Sequence, residues 1–285
     1  MFKTVIFFLI TILLTAGCAP VSFAPIIEEA EEIPWVKPSY ILPELSITVL
    51  QTGKSDMIVI ETENRLMVID TADRENRSKI QAHLRDRKLG VVDYLVLTHL
   101  DKDHIGGTER VIGNFTVKNI IQPNYTETSD EYAGYVKAYG KKGLTPLLLT
   151  RRMEFEFAGA WVRLLPAAKD EYEKENDYSI MTEIIYGDHR FLFAGDAESE
   201  RLREYLRSDP EPFDFVKMLH HGNYNERTAE FIQKTAPKYA VITCSEDNMP
   251  DKEVTKLLRD VGSNVLLTIL KPVTVVSDGV ELKVN

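Results

Sequence analysis

The sequence predicts an α/β protein built from two similar halves, and three features predict it. Strand-like and helix-like segments alternate from about Leu45 onward. Val91–Leu97 is a short, apolar run of the kind shown by a strand buried on both faces. An internal near-repeat relates the halves. In the first, a hairpin strand ends in Val68-Ile69-Asp70, a helix crosses over, and an apolar strand ends in Leu97-Thr98-His99. In the second, the same order ends in Ala194-Gly195-Asp196 and then Met218-Leu219-His220. Ligands in open α/β sheets cluster beyond the carboxyl ends of strands. Two such halves facing each other bring both Asp–His pairs to one edge.

In order along the chain, Ser46–Leu50, Met57–Glu61 and Arg65–Asp70 read as strands, with Glu63-Asn64 as a tight turn. A helix over Glu75–Lys88 puts Ile80 and Leu84 on one face. The middle reads as a strand at Thr116–Ile121, a helix near Asp130–Tyr139, and strands at Leu147–Leu149, Met153–Phe157 and Trp161–Leu165. A second hairpin, Ile180–Tyr186 and Phe191–Ala194, turns at Gly187-Asp188. Helix Ala197–Leu206, strand Phe213–Leu219, helix Glu226–Lys234, strand Ala240–Thr243, helix Lys252–Asp260 and short closing strands follow.

Composition narrows the function. The 285 residues are 44% hydrophobic and 27% charged, which excludes collagen-like, low-complexity and wholly disordered chains. A net charge of −10 with no long Lys/Arg run is a poor match for a polyanion gripped along its length. Two cysteines, Cys18 and Cys244, allow no disulfide framework. Cys244 reads as a small buried hydrophobe.

The N-terminus sets the compartment. A basic start, the apolar run Thr4–Leu14 and small residues before Cys18 form a secretory signal, and the run is too short to span a bilayer. Small residues directly before a cysteine resemble the bacterial lipoprotein processing site. The expectation is therefore that residues 1–17 are removed and Cys18 is lipidated, with Thr15 standing where that pattern prefers Leu. Residues 18–44, rich in Pro and Glu, read as an extended spacer. Residues 45–285 form the folded domain, held outside the cytoplasm on a bacterial membrane.

The chemistry concentrates in Thr98–Gly107, where His99, Asp101, Asp103 and His104 fall within six residues directly after the buried strand. Imidazole nitrogens and carboxylate oxygens suit Zn²⁺, Mn²⁺ or Fe. In an extended turn, positions 99, 101 and 103 project to one side while 103 and 104 splay apart. One loop could thus serve two ions about 3.5–4 Å apart. Gly106 and Gly107 let the backbone turn behind the ligands, and Ile105 pegs the loop into the core. Asp196 could instead cap the helix that follows it, and Asp70 could form a turn. His83 and His189 read as surface residues without a role. Position in the repeat makes His220 the metal ligand of the adjacent pair and turns His221 towards substrate. Tyr132, Tyr135 and Tyr139 recur at helical spacing, as core packing or as a lid over a substrate ring.

This combination (THLDKDHIGG, with VIDTAD upstream and LFAGD and LHHG downstream) resembles the metallo-β-lactamase fold superfamily. Within it, the pattern is similar to the extracytoplasmic hydrolase domain of ComEC-type competence proteins and their stand-alone relatives. Asn176-Asp177-Tyr178-Ser179 also resembles a motif of that group. The resemblance covers roughly residues 45–270 and implies a four-layer αββα sandwich. It implies one or two Zn²⁺ or Mn²⁺ ions per chain, with His99 and Asp101 leaning to one, Asp103 and His104 to the other, Asp196 bridging and His220 completing. Asp70 would orient a ligand from behind, and His221 and Asn223 would donate to a phosphoryl or carbonyl oxygen. Two departures stand out. Asp101 replaces the usual second His of the loop, and the usual third-motif His has no counterpart, which favours a weak or Mn²⁺-selective position.

The function implied is hydrolysis of a phosphodiester in nucleic acid or the cell envelope, with Asp103 holding the ion that activates the attacking water. The net charge favours a short or envelope-borne substrate over a long nucleic acid. Two other readings stay open: a hydrolase of a carboxylic ester, lactone or β-lactam, and a non-catalytic surface-binding lipoprotein on the same fold. The sequence points to no protein partner.

Overall fold

Apolar residues alternate between two burial environments along most strands, and that alternation builds the layers. In the computed structural model, residues 42–86 and 90–285 are described. The signal segment 1–17, Cys18, most of the 18–44 spacer and the end of the first helix lie outside them. The elements are β1 (Leu45–Val49), β2 (Ile58–Glu61), β3 (Leu66–Ile69), α1 (Arg77–Asp86), β4 (Val91–Val96), α2 (Lys102–Ile105), α3 (Thr108–Asn114), β5 (Thr116–Pro123), α4 (Asp130–Lys141) and β6 (Leu147–Leu149). They continue as β7 (Met153–Phe157), β8 (Ala160–Leu165), β9 (Met181–Tyr186), β10 (His189–Phe193), α5 (Ser199–Leu206), β11 (Phe215–Lys217), α6 (Thr228–Thr235), β12 (Tyr239–Ile242), α7 (Lys252–Asp260), β13 (Asn264–Leu267), β14 (Val273–Ser277) and β15 (Leu282–Val284).

One sheet has the order β15-β14-β1-β2-β3-β4-β5-β6, the other β13-β12-β11-β10-β9-β8-β7. Ile58, Ile60, Met67 and Ile69 from the first meet Val162, Ile184, Phe191, Phe193 and Phe215 from the second in one central core. The intervening residues face outward: Val59, Val68 and Leu95 onto α1, α3 and α4, and Leu192, Val216 and Ala240 onto α5, α6 and α7. The result is the αββα sandwich expected from the motifs. A strand buried on both faces has no polar side to show, which is why these segments read as continuous apolar runs.

The repeat is visible in the topology. Hairpin β2–β3 is followed across α1 by parallel β4, and hairpin β9–β10 across α5 by parallel β11. Both halves place their polar residues just past the carboxyl ends of these strands. At the opposite end, Leu42 is buried and Pro43 accepts a hydrogen bond from Tyr186, so the final residues of the spacer reading touch the sandwich.

Two local expectations differ from the structure. The ligand loop is not an extended turn, because Lys102–Ile105 coils into a short helix behind Asp101. The strand expected to run to Leu219 ends at Lys217, because Leu219–Gly222 forms a tight left-handed turn with His220 at φ 43° and His221 at φ 52°.

Candidate metal centre

Side chains from three segments meet at the shared edge. One ligand-capable atom from each of Asp103, His104, Asp196 and His221 lies within 4.8 Å of all the others. Asp196 Oδ2 is the hub, 3.4 Å from His104 Nε2 and 3.2 Å from His221 Nε2. His221 Nε2 also stands 3.6 Å from Asp103 Oδ2. The His99 ring lies 3.9 Å from that of His104, and its Nε2 is 3.7 Å from Asp101 Oδ2. His99, His104, Asp196 and His221 are buried.

Backbone contacts fix the ligand loop. Thr71 N–H donates to the His104 carbonyl at 2.7 Å, and Asp56 N–H to that of Asp103 at 3.2 Å. Gly106 and Gly107 have ordinary negative φ, so conformational freedom is not their role. A Cβ on Gly107 would sit 2.3 Å from the Thr71 carbonyl oxygen, and one on Gly106 2.5 Å from Arg74 N. Close approach of the Thr71–Arg74 segment is what requires them.

The buried nitrogens are oriented from behind. Asp70 accepts from Thr98 N–H at 2.8 Å, Thr98 Oγ1 at 2.6 Å and His104 Nδ1 at 2.8 Å. A carboxylate there can only accept, so His104 carries a proton on Nδ1, and in its neutral, metal-binding form its Nε2 lone pair would face the centre. His221 Nδ1 meets Thr243 Oγ1 at 2.8 Å, and Thr243 donates to Asp56 Oδ1 at 2.7 Å. The other Asp56 oxygen is ion-paired with the fully buried Lys217.

Electrostatics match. Burial alone would raise the Asp196 carboxyl, but the His221 and His104 imidazoles hold it well below the ordinary carboxylate range. Asp103 is held low against its own burial by His221 and His104. Burial pulls His104 down, yet Asp196 and Asp70 raise it well above the ordinary imidazole value. Burial likewise opposes, and Asp196 and Asp56 outweigh, in raising His221. His99 goes the other way, lowered by burial and by the neighbouring His104. Anionic carboxylates against imidazoles form a pocket that attracts positive charge.

The donor set passes a direct test of fit. His99, His104 and His221 Nε2 and Asp196 Oδ1 are fully buried without a hydrogen bond of acceptable geometry. Orphaned buried polar atoms are costly. A mixed set of nitrogen and carboxylate oxygen is what Zn²⁺ or Mn²⁺ takes.

The adjacent histidines exchange the places expected for them. His221 is in the cluster, whereas the side chain of His220 is 23% exposed and its Nε2 is 4.0 Å from Asp196 Oδ2. Only in extended chain do neighbouring side chains point to opposite sides. Two consecutive left-handed residues rotate the pair instead, at about 1–2 kcal/mol each. His220 Nδ1 lies 3.6 Å from Glu198 Oε1, and its Nε2 meets Asn176 Nδ2 at 3.5 Å, on the rim. Asn223 is half-buried just past the turn, donating its N–H to the His220 carbonyl at 2.9 Å. Asp103 and His104 likewise do not splay to separate positions, because the helical turn brings both to the same cluster.

Asp101 is part-exposed and hydrogen-bonded to Glu175, whose carboxyl burial and the neighbouring Glu127 push up to about 7. Tyr135 is buried and donates to Gln122, and Tyr132 and Tyr139 pack beside it, so the stripe is core. The tyrosines beside the ligand loop are Tyr125, whose OH accepts from Leu100 N–H at 2.6 Å, and Tyr178, stacked on it at 4.3 Å. His189 is buried and begins β10, at the opposite end of the strand from Asp196. Cys244 is buried in the core beneath α5–α7. Asp56, Lys217 and Thr243 carried no motif; the available signal was a lone lysine in the apolar run Phe215–Leu219.

Comparison with known proteins agrees with this geometry. Residues 50–245 match the family described as the metallo-beta-lactamase superfamily. ComE operon protein 3 of Bacillus subtilis is 30% identical over 184 residues, covering 62% of this chain and 23% of that protein. Competence protein ComA of Neisseria gonorrhoeae is 23% identical over 235 residues, 80% of this chain and 31% of that one. The chain thus spans less than a third of the length of either relative. Among solved structures, the metallo-beta-lactamase fold protein YhfI of Bacillus subtilis superposes with TM-score 0.54 at 10% identity, over 85% of this chain and all of that one. CmlA, a diiron beta-hydroxylase of Streptomyces venezuelae, gives 0.52 at 12% identity, over 83% of this chain and 54% of that one. With the ordered motifs, the two-sheet sandwich and the His/Asp cluster at its edge, the chain belongs to the metallo-beta-lactamase superfamily.

Proposed function

We propose that the protein is a metal-dependent hydrolase of phosphodiester bonds, acting on a short or envelope-borne substrate while lipidated Cys18 tethers it to the outer side of a membrane. The observation that carries it is the convergence of buried, hydrogen-bond-free His104 and His221 Nε2 atoms on one carboxylate, Asp196. Asp103, His104, Asp196 and His221 would hold one Zn²⁺ or Mn²⁺, and His99 with Asp101 would offer a second, weaker position. An ion bound there supplies an activated water and an electrophilic contact, with no serine or cysteine nucleophile needed.

The chain's own residues supply orientation and access. Asp70 holds the His104 ring through Nδ1. His220, part-exposed and drawn towards its neutral form by burial, stands with Asn176 where either can donate to a phosphoryl oxygen. The stacked Tyr125–Tyr178 pair flanks the ligand loop and offers apolar faces. The phosphodiester class is supported by the likeness of Thr98–Gly107 and Asn176–Ser179 to competence-type hydrolase domains. The net charge of −10 weighs against long nucleic acid. No helix among the described residues is long and apolar enough to cross a membrane, and the tether reading rests on the sequence of residues 1–18.

The test is turnover of bis(p-nitrophenyl) phosphate by the purified full chain under Zn²⁺ and Mn²⁺, beside a carboxylic ester and a β-lactam. Phosphodiester turnover lost in Asp103→Asn is the expected result. Turnover of the ester or β-lactam alone would transfer the reading to that class.

A further inference from the structure

We propose that Thr243, Asp56 and Lys217 form a relay that fixes the tautomer of His221, so that its Nε2 lone pair faces the metal position; this rests on the metal-centre reading above. Thr243 Oγ1 has one proton and two neighbours, Asp56 Oδ1 at 2.7 Å and His221 Nδ1 at 2.8 Å. Asp56 is ion-paired with Lys217 through Oδ2, and a carboxylate only accepts. The hydroxyl proton therefore goes to Asp56, and the lone pairs of Oγ1 receive Nδ1–H of His221. In the neutral ring, the form that binds a metal ion, that leaves Nε2 unprotonated, 3.2 Å from Asp196 Oδ2 and 3.6 Å from Asp103 Oδ2.

The threonine is required by distance. Asp56 Oδ1 is 3.6 Å from His221 Nδ1, too far for a direct hydrogen bond. His104 reaches the same outcome in one step, because Asp70 touches its Nδ1 at 2.8 Å. The two halves of the sandwich thus orient their imidazoles by different means towards one carboxylate. Lys217 also lies 3.8 Å from Asp196 Oδ1, so its charge borders both the relay and the hub. A fully buried Lys–Asp pair costs desolvation that apolar residues would avoid, which makes a purely packing role a poor account of it.

These are positioning residues, and the test reads the tautomer itself. In the full chain labelled with ¹⁵N-histidine and loaded with Zn²⁺, His221 should show a protonated Nδ1 and a ligated Nε2, its signals identified by their loss in His221→Gln. Thr243→Val should bind Zn²⁺ roughly 10–100-fold more weakly, the usual cost of losing an orienting partner. Thr243→Ser, which keeps the hydroxyl, should restore wild-type affinity. A protonated Nε2 in the wild type overturns the relay, as does a Val variant with wild-type affinity and an unchanged tautomer. If Thr243→Val does not fold, the wild-type spectrum alone decides. A wild-type chain that takes up no Zn²⁺ sinks the metal-centre reading instead. The metal-free spectrum at alkaline pH then judges the relay, Nδ1–H supporting it and Nε2–H overturning it.

Discussion

His221 Nε2 lies 3.2 Å from Asp196 Oδ2, while Nε2 of the adjacent His220 is 4.0 Å from the same atom and part-exposed. One residue of sequence separates a buried member of the cluster from a rim residue. The left-handed turn at both positions makes that division.

His221→Ala should therefore lower Zn²⁺ affinity by roughly 100-fold or more, beyond what loss of an orienting partner costs. His220→Ala should keep its metal and lose turnover, by about 10²–10³-fold if His220 donates to the developing charge. Metal content and kcat on both variants check this. A loaded His221→Ala beside an empty His220→Ala would restore the order expected from the repeat.

The two glycines behind the ligand loop give a stability prediction. Gly107→Ala would drive a methyl to 2.3 Å from the Thr71 carbonyl oxygen and 2.9 Å from Ile80 Cδ1. The cost should reach or exceed about 3 kcal/mol, the upper end for overpacking, because the obstacle is backbone. Gly113, within α3, has nothing within 4 Å of a built Cβ, so Gly113→Ala should be neutral or stabilising by about 0.5–1 kcal/mol. Urea unfolding of the two variants should shift in opposite directions or by very different amounts.

Acid stability should depend on Asp93. Burial alone would raise its carboxyl, but Lys118 at 2.8 Å, Leu66 N–H at 3.0 Å and Arg65 at 3.2 Å hold it below the ordinary value. A depressed folded value means the stabilisation is fully present above the ordinary pKa of about 3.9 and is lost as pH falls through the lower folded one. Asp93→Asn should be less stable than wild type at neutral pH, with the gap closing below about pH 4. A pH-independent gap would assign Asp93 a packing role only.

Much of the site is legible in the sequence because its densest part is contiguous. His99, Asp101, Asp103 and His104 stand in one loop, and the repeat adds Asp70 and Asp196. The division of labour between His220 and His221 is not legible, since it depends on two left-handed residues that carry no glycine signal. Nor are Asp56, Lys217 and Thr243, because each segment contributes one residue. Asp56 pairs with Lys217 across 161 residues and with Thr243 across 187. The layers follow from apolar periodicity; the short helix Lys102–Ile105 does not, because its polar residues look like a loop.

The N-terminal reading has its own test. Cys18→Ala should remain unprocessed or leave the membrane fraction, while the wild type should lack residues 1–17 and sediment with membranes. Full-length, cytosolic protein in both cases would contradict the lipid anchor.

The Asp103–His104–Asp196–His221 cluster is proposed as a metal site. Elemental analysis of the purified full chain, wild type against Asp196→Asn, tests it most directly. The wild type should carry about one to two equivalents of Zn²⁺ or Mn²⁺ and the variant should lose most of it, with the fold retained by circular dichroism. A wild-type chain that stays metal-free under excess Zn²⁺ and Mn²⁺, or an Asp196→Asn chain that binds as well as wild type, would contradict it.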